Sequence, residues 1–144
     1  MIIISNNFQN TINKQISING IGLHTGEFCN IELIPASCDY GIKFIINIDK
    51  RDIEISANIE NVISTVRGTN LNKNDISIFT VEHLLSALYA LSIDNLKIKI
   101  SSNELPILDG SSKLYIDSIN EVVIKKQNKK RKKFLVNEII SFKS

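Results

Sequence analysis

No apolar run in this chain approaches the roughly 20 residues that span a bilayer, and Met1 to Ser5 is too short for a signal peptide. The expected address is therefore the cytosol, without stable membrane insertion. Cysteine is scarce: two residues in 144 exclude a disulfide framework and a cysteine-rich zinc site. Cys29 and Cys38 read as reduced thiols, Cys29 packing as a small hydrophobe within a strand. Neither sign of charge dominates, since 17 Lys and Arg stand against 15 Asp and Glu, which is no global nucleic-acid signature. The local excess at Lys125, Lys126, Lys129, Lys130, Arg131, Lys132 and Lys133 has no aromatic residue among the cations to stack a base. A solvated linker suits it better than an RNA-binding surface. The sequence also lacks G-x-G-x-x-G, so the glycines of 20–26 are no dinucleotide fingerprint. It has neither H-E-x-x-H nor H-x-x-E-H, because Ala87 and Phe79 stand where a second histidine would be needed. No self-contained pair of helical zinc ligands exists.

What is present suits a globular domain. A hydrophobic share of 43% and this length allow one domain or slightly more, with a real core. Ile12, Ile16 and Ile18 alternate with polar residues in a half-buried strand running to Asn19. Phe28, Ile31 and Leu33 mark a second strand ending at Pro35, and Ile42, Phe44, Ile46 and Ile48 a third, expected to pair antiparallel with it across the turn at Asp39-Tyr40-Gly41. Ile53 to Ile55 is a short strand, 58–74 a polar irregular passage, and Ile76 with Ile78 a brief strand. Leu96, Ile98 and Ile100 alternate with Lys97 and Lys99, a strand with one buried face.

Two helices complete the pattern. Val81, Leu84, Leu85, Leu88 and Leu91 recur at helical spacing, with Thr80 placed to cap the first turn. Tyr115, Ile116, Ile119, Val122 and Val123 give a second helix an apolar face, with Asp109 or Ser111 as its cap. Helices and largely antiparallel strands together imply an α+β fold, a two-layer sandwich. Composition divides the chain into a domain over 1–124, a basic linker over 125–133, and the start of a further domain over 134–144.

Thr80-Val81-Glu82-His83-Leu84-Leu85-Ser86-Ala87 carries the strongest chemical signal. A carboxylate and an imidazole stand side by side at a helix start, where the dipole favours an ionised carboxylate and an uncharged ring. Those forms suit a general base and a metal ligand. They equally suit a residue complementing the dipole beside a partly exposed histidine.

Four separated pieces decide between these. Gly20-Ile21-Gly22-Leu23-His24-Thr25-Gly26, the Glu82-His83 helix start, Ile93-Asp94-Asn95 and Leu105-Pro106-Ile107-Leu108-Asp109-Gly110-Ser111 together resemble the UDP-3-O-acyl-N-acetylglucosamine deacetylases, zinc enzymes of lipid A biosynthesis in Gram-negative bacteria. The resemblance covers about 11–124, and Lys132-Lys133-Phe134-Leu135-Val136 resembles the family's entry into its second domain. It implies a first domain of two similar α+β sandwiches, with the active site between them. By the same resemblance His83 is a zinc ligand and Glu82 the general base that takes a proton from the water attacking the acetamide carbonyl. His24, Thr25 and Asp109 become substrate-side residues, Asp109 being equally a helix cap. The remaining zinc ligands and the acid for the leaving amine belong to the second domain, so this chain is expected to need that complementary partner. The expected substrate is a UDP-linked acylated N-acetylglucosamine, with no nucleic acid as partner. A non-catalytic remnant or interaction domain and a basic-tailed RNA-binding α+β module are the alternatives.

Overall fold

The alternation along Leu96–Ile100 (β9) is realised as a strand whose Leu96, Ile98 and Ile100 are buried while Lys99 is exposed. This strand lies at the centre of a five-stranded sheet. The computed structural model describes residues 2–143. In chain order the strands are β1 (Ile2–Ile12), β2 (Ile16–Ile21), β3 (Phe28–Pro35), β4 (Ile42–Ile48), β5 (Arg51–Ser56), β6 (Val62–Ser64), β7 (Asn70–Lys73), β8 (Ile76–Ile78), β9 and β10 (Ile124–Phe134). The helices are α1 (Glu82–Ala90) and α2 (Lys113–Asn120).

The main sheet runs in the order β2-β3-β9-β4-β5. β9 pairs antiparallel with β3, setting Leu33 opposite Ile98, and parallel with β4, setting Phe44 opposite Ile98. The expected hairpin of β3 with β4 is therefore not formed, because β9 is inserted between them. Ile98 and Ile100 are buried by apolar neighbours from both sides, which a hairpin of β3 on β4 would leave uncovered. The region expected as one strand from Ile12 to Asn19 is two, broken at 13–15. The polar passage 58–74 contains β6 and β7, which with β8 make a small three-stranded sheet.

Both helices join the sheet in one apolar core. Leu84, Ala87 and Leu88 of α1 and Tyr115 and Ile119 of α2 lie in the same cluster as Ile31, Leu33, Phe44, Ile46, Ile98 and Ile100. Complete burial of each large aliphatic side chain contributes roughly 1.5–3 kcal/mol. The architecture is the expected α+β fold. No helix among the described residues is long and apolar enough to cross a membrane.

The basic stretch expected as a linker is a paired strand. Residues 124–134 form β10, antiparallel to β1, with Ile12 opposite Ile124 and Ile2 opposite Phe134. Its cations are partly used within the fold: Lys129 pairs with Asp39, Arg131 Nε lies 2.8 Å from Asp94 Oδ1, and the Lys126 ammonium sits over the Phe8 ring. Between the cations, Gln127 Oε1 accepts from the buried Asn95 side chain at 2.7 Å, and Gln127 Nε2 donates to the Ala36 carbonyl. Periodicity could not find this strand because few of its residues are apolar; pairing and anchored polar side chains hold it instead. Trypsin should consequently cut slowly within 125–131, since a paired strand cannot enter a protease cleft without opening. Cleavage at Arg67 or Lys143 ahead of the β10 lysines, followed by mass spectrometry, is the expected order. Prompt cleavage at Lys125 and Lys126 in the folded protein would contradict the pairing.

Candidate active site

α1 begins in an unusual way. Thr80, expected to cap it, instead has φ +60°, a strained backbone for a β-branched residue that costs on the order of 1–3 kcal/mol. Its hydroxyl points away from the helix and donates to Glu104 Oε1 at 3.1 Å. The cap position falls on Val81, which makes no side-chain capping bond. Thr80 is thus diverted from a local role to a long-range one.

Glu82 and His83 follow at once. The Thr69 backbone N–H donates to Glu82 Oε2 at 2.8 Å, while Oε1 faces His83, 3.8 Å from Nε2. The other neighbour of this carboxylate is Gly68, at φ +147°, where a Cβ would come within 3.3 Å of Oε1. Only glycine combines that backbone with that closeness. Both side chains are partly exposed, so a carboxylate and an imidazole are presented together to incoming molecules.

The glycine-rich segment 20–26 and its neighbours build the adjoining wall. Glu104 is completely buried. It accepts from the backbone N–H of His24 at 3.0 Å and of Thr25 at 2.7 Å. Burial pushes its pKa up, but the His24 and Thr25 N–H groups and the Thr25 and Thr80 hydroxyls outweigh burial and hold the carboxyl below the usual range. The His24 ring reaches across to the Arg67 carbonyl oxygen, 3.1 Å from Nε2. A carbonyl only accepts, so Nε2 carries the proton in this arrangement. His24, Thr25, Val66, Arg67, Asn70 and Phe79 line an open cleft of about 340 Å³.

Of the residues singled out in the sequence, Glu82 and His83 are brought together, and His24 and Thr25 stand on the neighbouring cleft. Asp109 makes its hydrogen bonds within its own loop. Its carboxylate accepts from the N–H and hydroxyl of Ser111 at 3.0 and 2.9 Å, which hold its pKa low. Asp109 does not cap α2 directly: Ser111 Oγ accepts from the Lys113 N–H. Glu104 was missed. A lone acid before an apolar run has no periodic signature, and its partners lie 24 to 80 residues away in the chain.

Among the described residues no group of three His, Cys, Asp or Glu side chains is placed to hold a metal ion. A catalytic zinc normally takes three protein ligands and a water. His83 fits one of those places by its accessible nitrogen, and the described residues do not fill the set.

The family model described as UDP-3-O-acyl N-acetylglycosamine deacetylase matches residues 9–144. The UDP-3-O-acyl-N-acetylglucosamine deacetylase of Syntrophotalea carbinolica is 39% identical over 134 residues, covering 93% of this chain and 43% of that protein. That of Thermodesulfovibrio yellowstonii is 43% identical over 122 residues, 85% of this chain and 41% of that protein. A bifunctional enzyme LpxC/FabZ of Chlorobaculum tepidum is 39% identical over 135 residues, covering 93% of this chain and 29% of that enzyme. The chain therefore spans well under half the length of these relatives. With the α+β fold, the glycine-rich wall and the Glu82-His83 helix start in their expected order, it belongs to the UDP-3-O-acyl N-acetylglycosamine deacetylase family.

Proposed function

We propose that this chain supplies one wall of a zinc-dependent deacetylase site that releases acetate from a UDP-linked 3-O-acyl-N-acetylglucosamine. Glu82 serves as general base and His83 as one metal ligand. The observation that carries this is the Glu82 carboxylate: one oxygen is fixed by the Thr69 N–H, and the other stands free beside the His83 ring. A base must be held in place and still have an open lone pair.

Zinc, when bound, would polarise the acetamide carbonyl and acidify the attacking water. His83 would contribute a nitrogen to hold it. Glu82 Oε1 would accept a proton from the attacking water, while the Thr69 N–H holds the carboxylate by its other oxygen. The cleft beside His24 and Thr25 offers an approach for the substrate. The other ligands, and the acid that protonates the departing amine, come from a second domain outside these residues.

The ligand count gives a direct test. This chain alone should retain far less than one zinc after dialysis, while its mixture with a family second domain should retain one zinc and turn over the substrate. Metal analysis and acetate release measure the two quantities separately. A tightly held zinc on the isolated chain would overturn the division of ligands, and a zinc-loaded but inactive mixture would overturn the assigned reaction.

A further inference from the structure

We propose that Glu104 is the positioning residue of this site, fixing the Glu82 carboxylate by clamping the glycine-rich segment and Thr80 to one buried anchor. Its two oxygens receive the donors that converge there: the His24 and Thr25 backbone N–H groups and the Thr25 and Thr80 hydroxyls. Two of the sequence pieces that are far apart in the chain meet at this carboxylate. The fit is close enough to dictate a neighbour, because a Cβ on Gly22 would lie 2.5 Å from Glu104 Oε2.

Two routes lead from Glu104 to Glu82. The short one passes through Thr80, whose left-handed backbone turns the chain immediately before Val81 and so sets where the first turn of α1 presents Glu82. The hydroxyl bond to Glu104 holds that conformation against its strain. The longer route passes through His24. With its backbone pinned by Glu104, its ring reaches the Arg67 carbonyl, and the segment after Arg67 carries Gly68 against Glu82 and the Thr69 N–H that grips Oε2. Val81 N also donates to the Thr69 carbonyl, tying the two routes together. Glu104 itself is fully buried, so it acts through these neighbours and not on a substrate.

The functional meaning rests on the proposed role of Glu82, but the test reads geometry and not turnover. In ¹H–¹⁵N spectra of this chain the wild-type His24 ring should hold its proton on Nε2, and the Thr69 amide should be protected from exchange. Glu104→Leu removes all the acceptors. The His24 ring should then lose that fixed tautomer, and the Thr69 amide should exchange about tenfold faster, while core amides of β9 keep their protection. Glu104→Gln should restore both signals, because its carbonyl can take the two N–H groups and the Thr80 hydroxyl can turn to accept from its amide. Thr80→Val removes one hydroxyl and leaves Glu104 in place. It should speed Thr69 exchange by a smaller factor and stands in should Glu104→Leu fail to fold.

Unchanged Thr69 and His24 signals in Thr80→Val and Glu104→Leu would overturn the proposal. So would uniform loosening that includes β9, or a Gln variant that behaves like Leu. A wrong assignment of Glu82 as base would leave all these signals as expected, whereas a wrong assignment of Glu104 alters them whatever Glu82 does.

Discussion

Glu82→Gln, in this chain combined with the second domain, should lower acetate release on the order of 100-fold or more and leave zinc content unchanged. The reason lies in the two oxygens of one side chain. Glutamine can still accept from the Thr69 N–H with its carbonyl, so the local fold survives, but the group that then faces His83 is an amide with no lone pair for a proton. His83→Ala should act otherwise. It removes the nitrogen proposed to hold zinc, so zinc content and rate should fall together. Asp109→Asn is the control: asparagine can accept from the Ser111 N–H and hydroxyl as aspartate does, and both measurements should stay near wild type. Metal analysis of each variant beside its rate separates base from ligand. Near-wild-type turnover of Glu82→Gln in an assembly that His83→Ala inactivates would remove Glu82 from the role.

How much of this was legible in the sequence depends on the range of the force that fixes each part. The α1 and β9 elements were readable because their burial is periodic and local: Leu84 and Leu88, or Leu96, Ile98 and Ile100, announce their buried face by spacing alone. The Glu82-His83 pair was readable because it is adjacent in the chain. What escaped was set by partners far away. β10 reads as a linker, since its lysines hide that Gln127 and Arg131 are anchored by Asn95 and Asp94. Thr80 reads as a cap, since nothing nearby reveals that Glu104 competes for its hydroxyl. The insertion of β9 between β3 and β4 is likewise invisible locally, because every one of these strands has the same alternation and pairing order is decided by the whole core.

Asn95 follows from the same distinction and should be among the costliest polar residues to lose. It is almost fully buried, and its one amide group joins three elements. Its Nδ2 donates to Gln9 Oε1 of β1 at 2.8 Å and to Gln127 Oε1 of β10 at 2.7 Å, while Oδ1 accepts from the Gly41 N–H before β4 at 2.9 Å. Asn95→Ala leaves those groups facing a void. Each buried polar group without a partner costs about 1–3 kcal/mol, and since Gln9 Oε1 keeps the Asp39 N–H, a total of about 2–4 kcal/mol is expected. Asn95→Asp makes the sign of the effect visible through pH. One carboxylate oxygen would keep Gly41, but the other would face the Gln9 and Gln127 oxygens, and Gln9 cannot turn its amide without giving up Asp39 Oδ1. Burial and these acceptors raise the carboxyl pKa in the folded state above its unfolded value, so the native form binds the extra proton. Stability of Asn95→Asp should therefore fall as pH rises through the range between the unfolded and the raised folded values, and remain low above it. Urea midpoints across that range, beside those of wild type and Asn95→Ala, measure the difference. An Asn95→Asp variant as stable as wild type at neutral pH would show that Asn95 does not hold β10 to the sandwich.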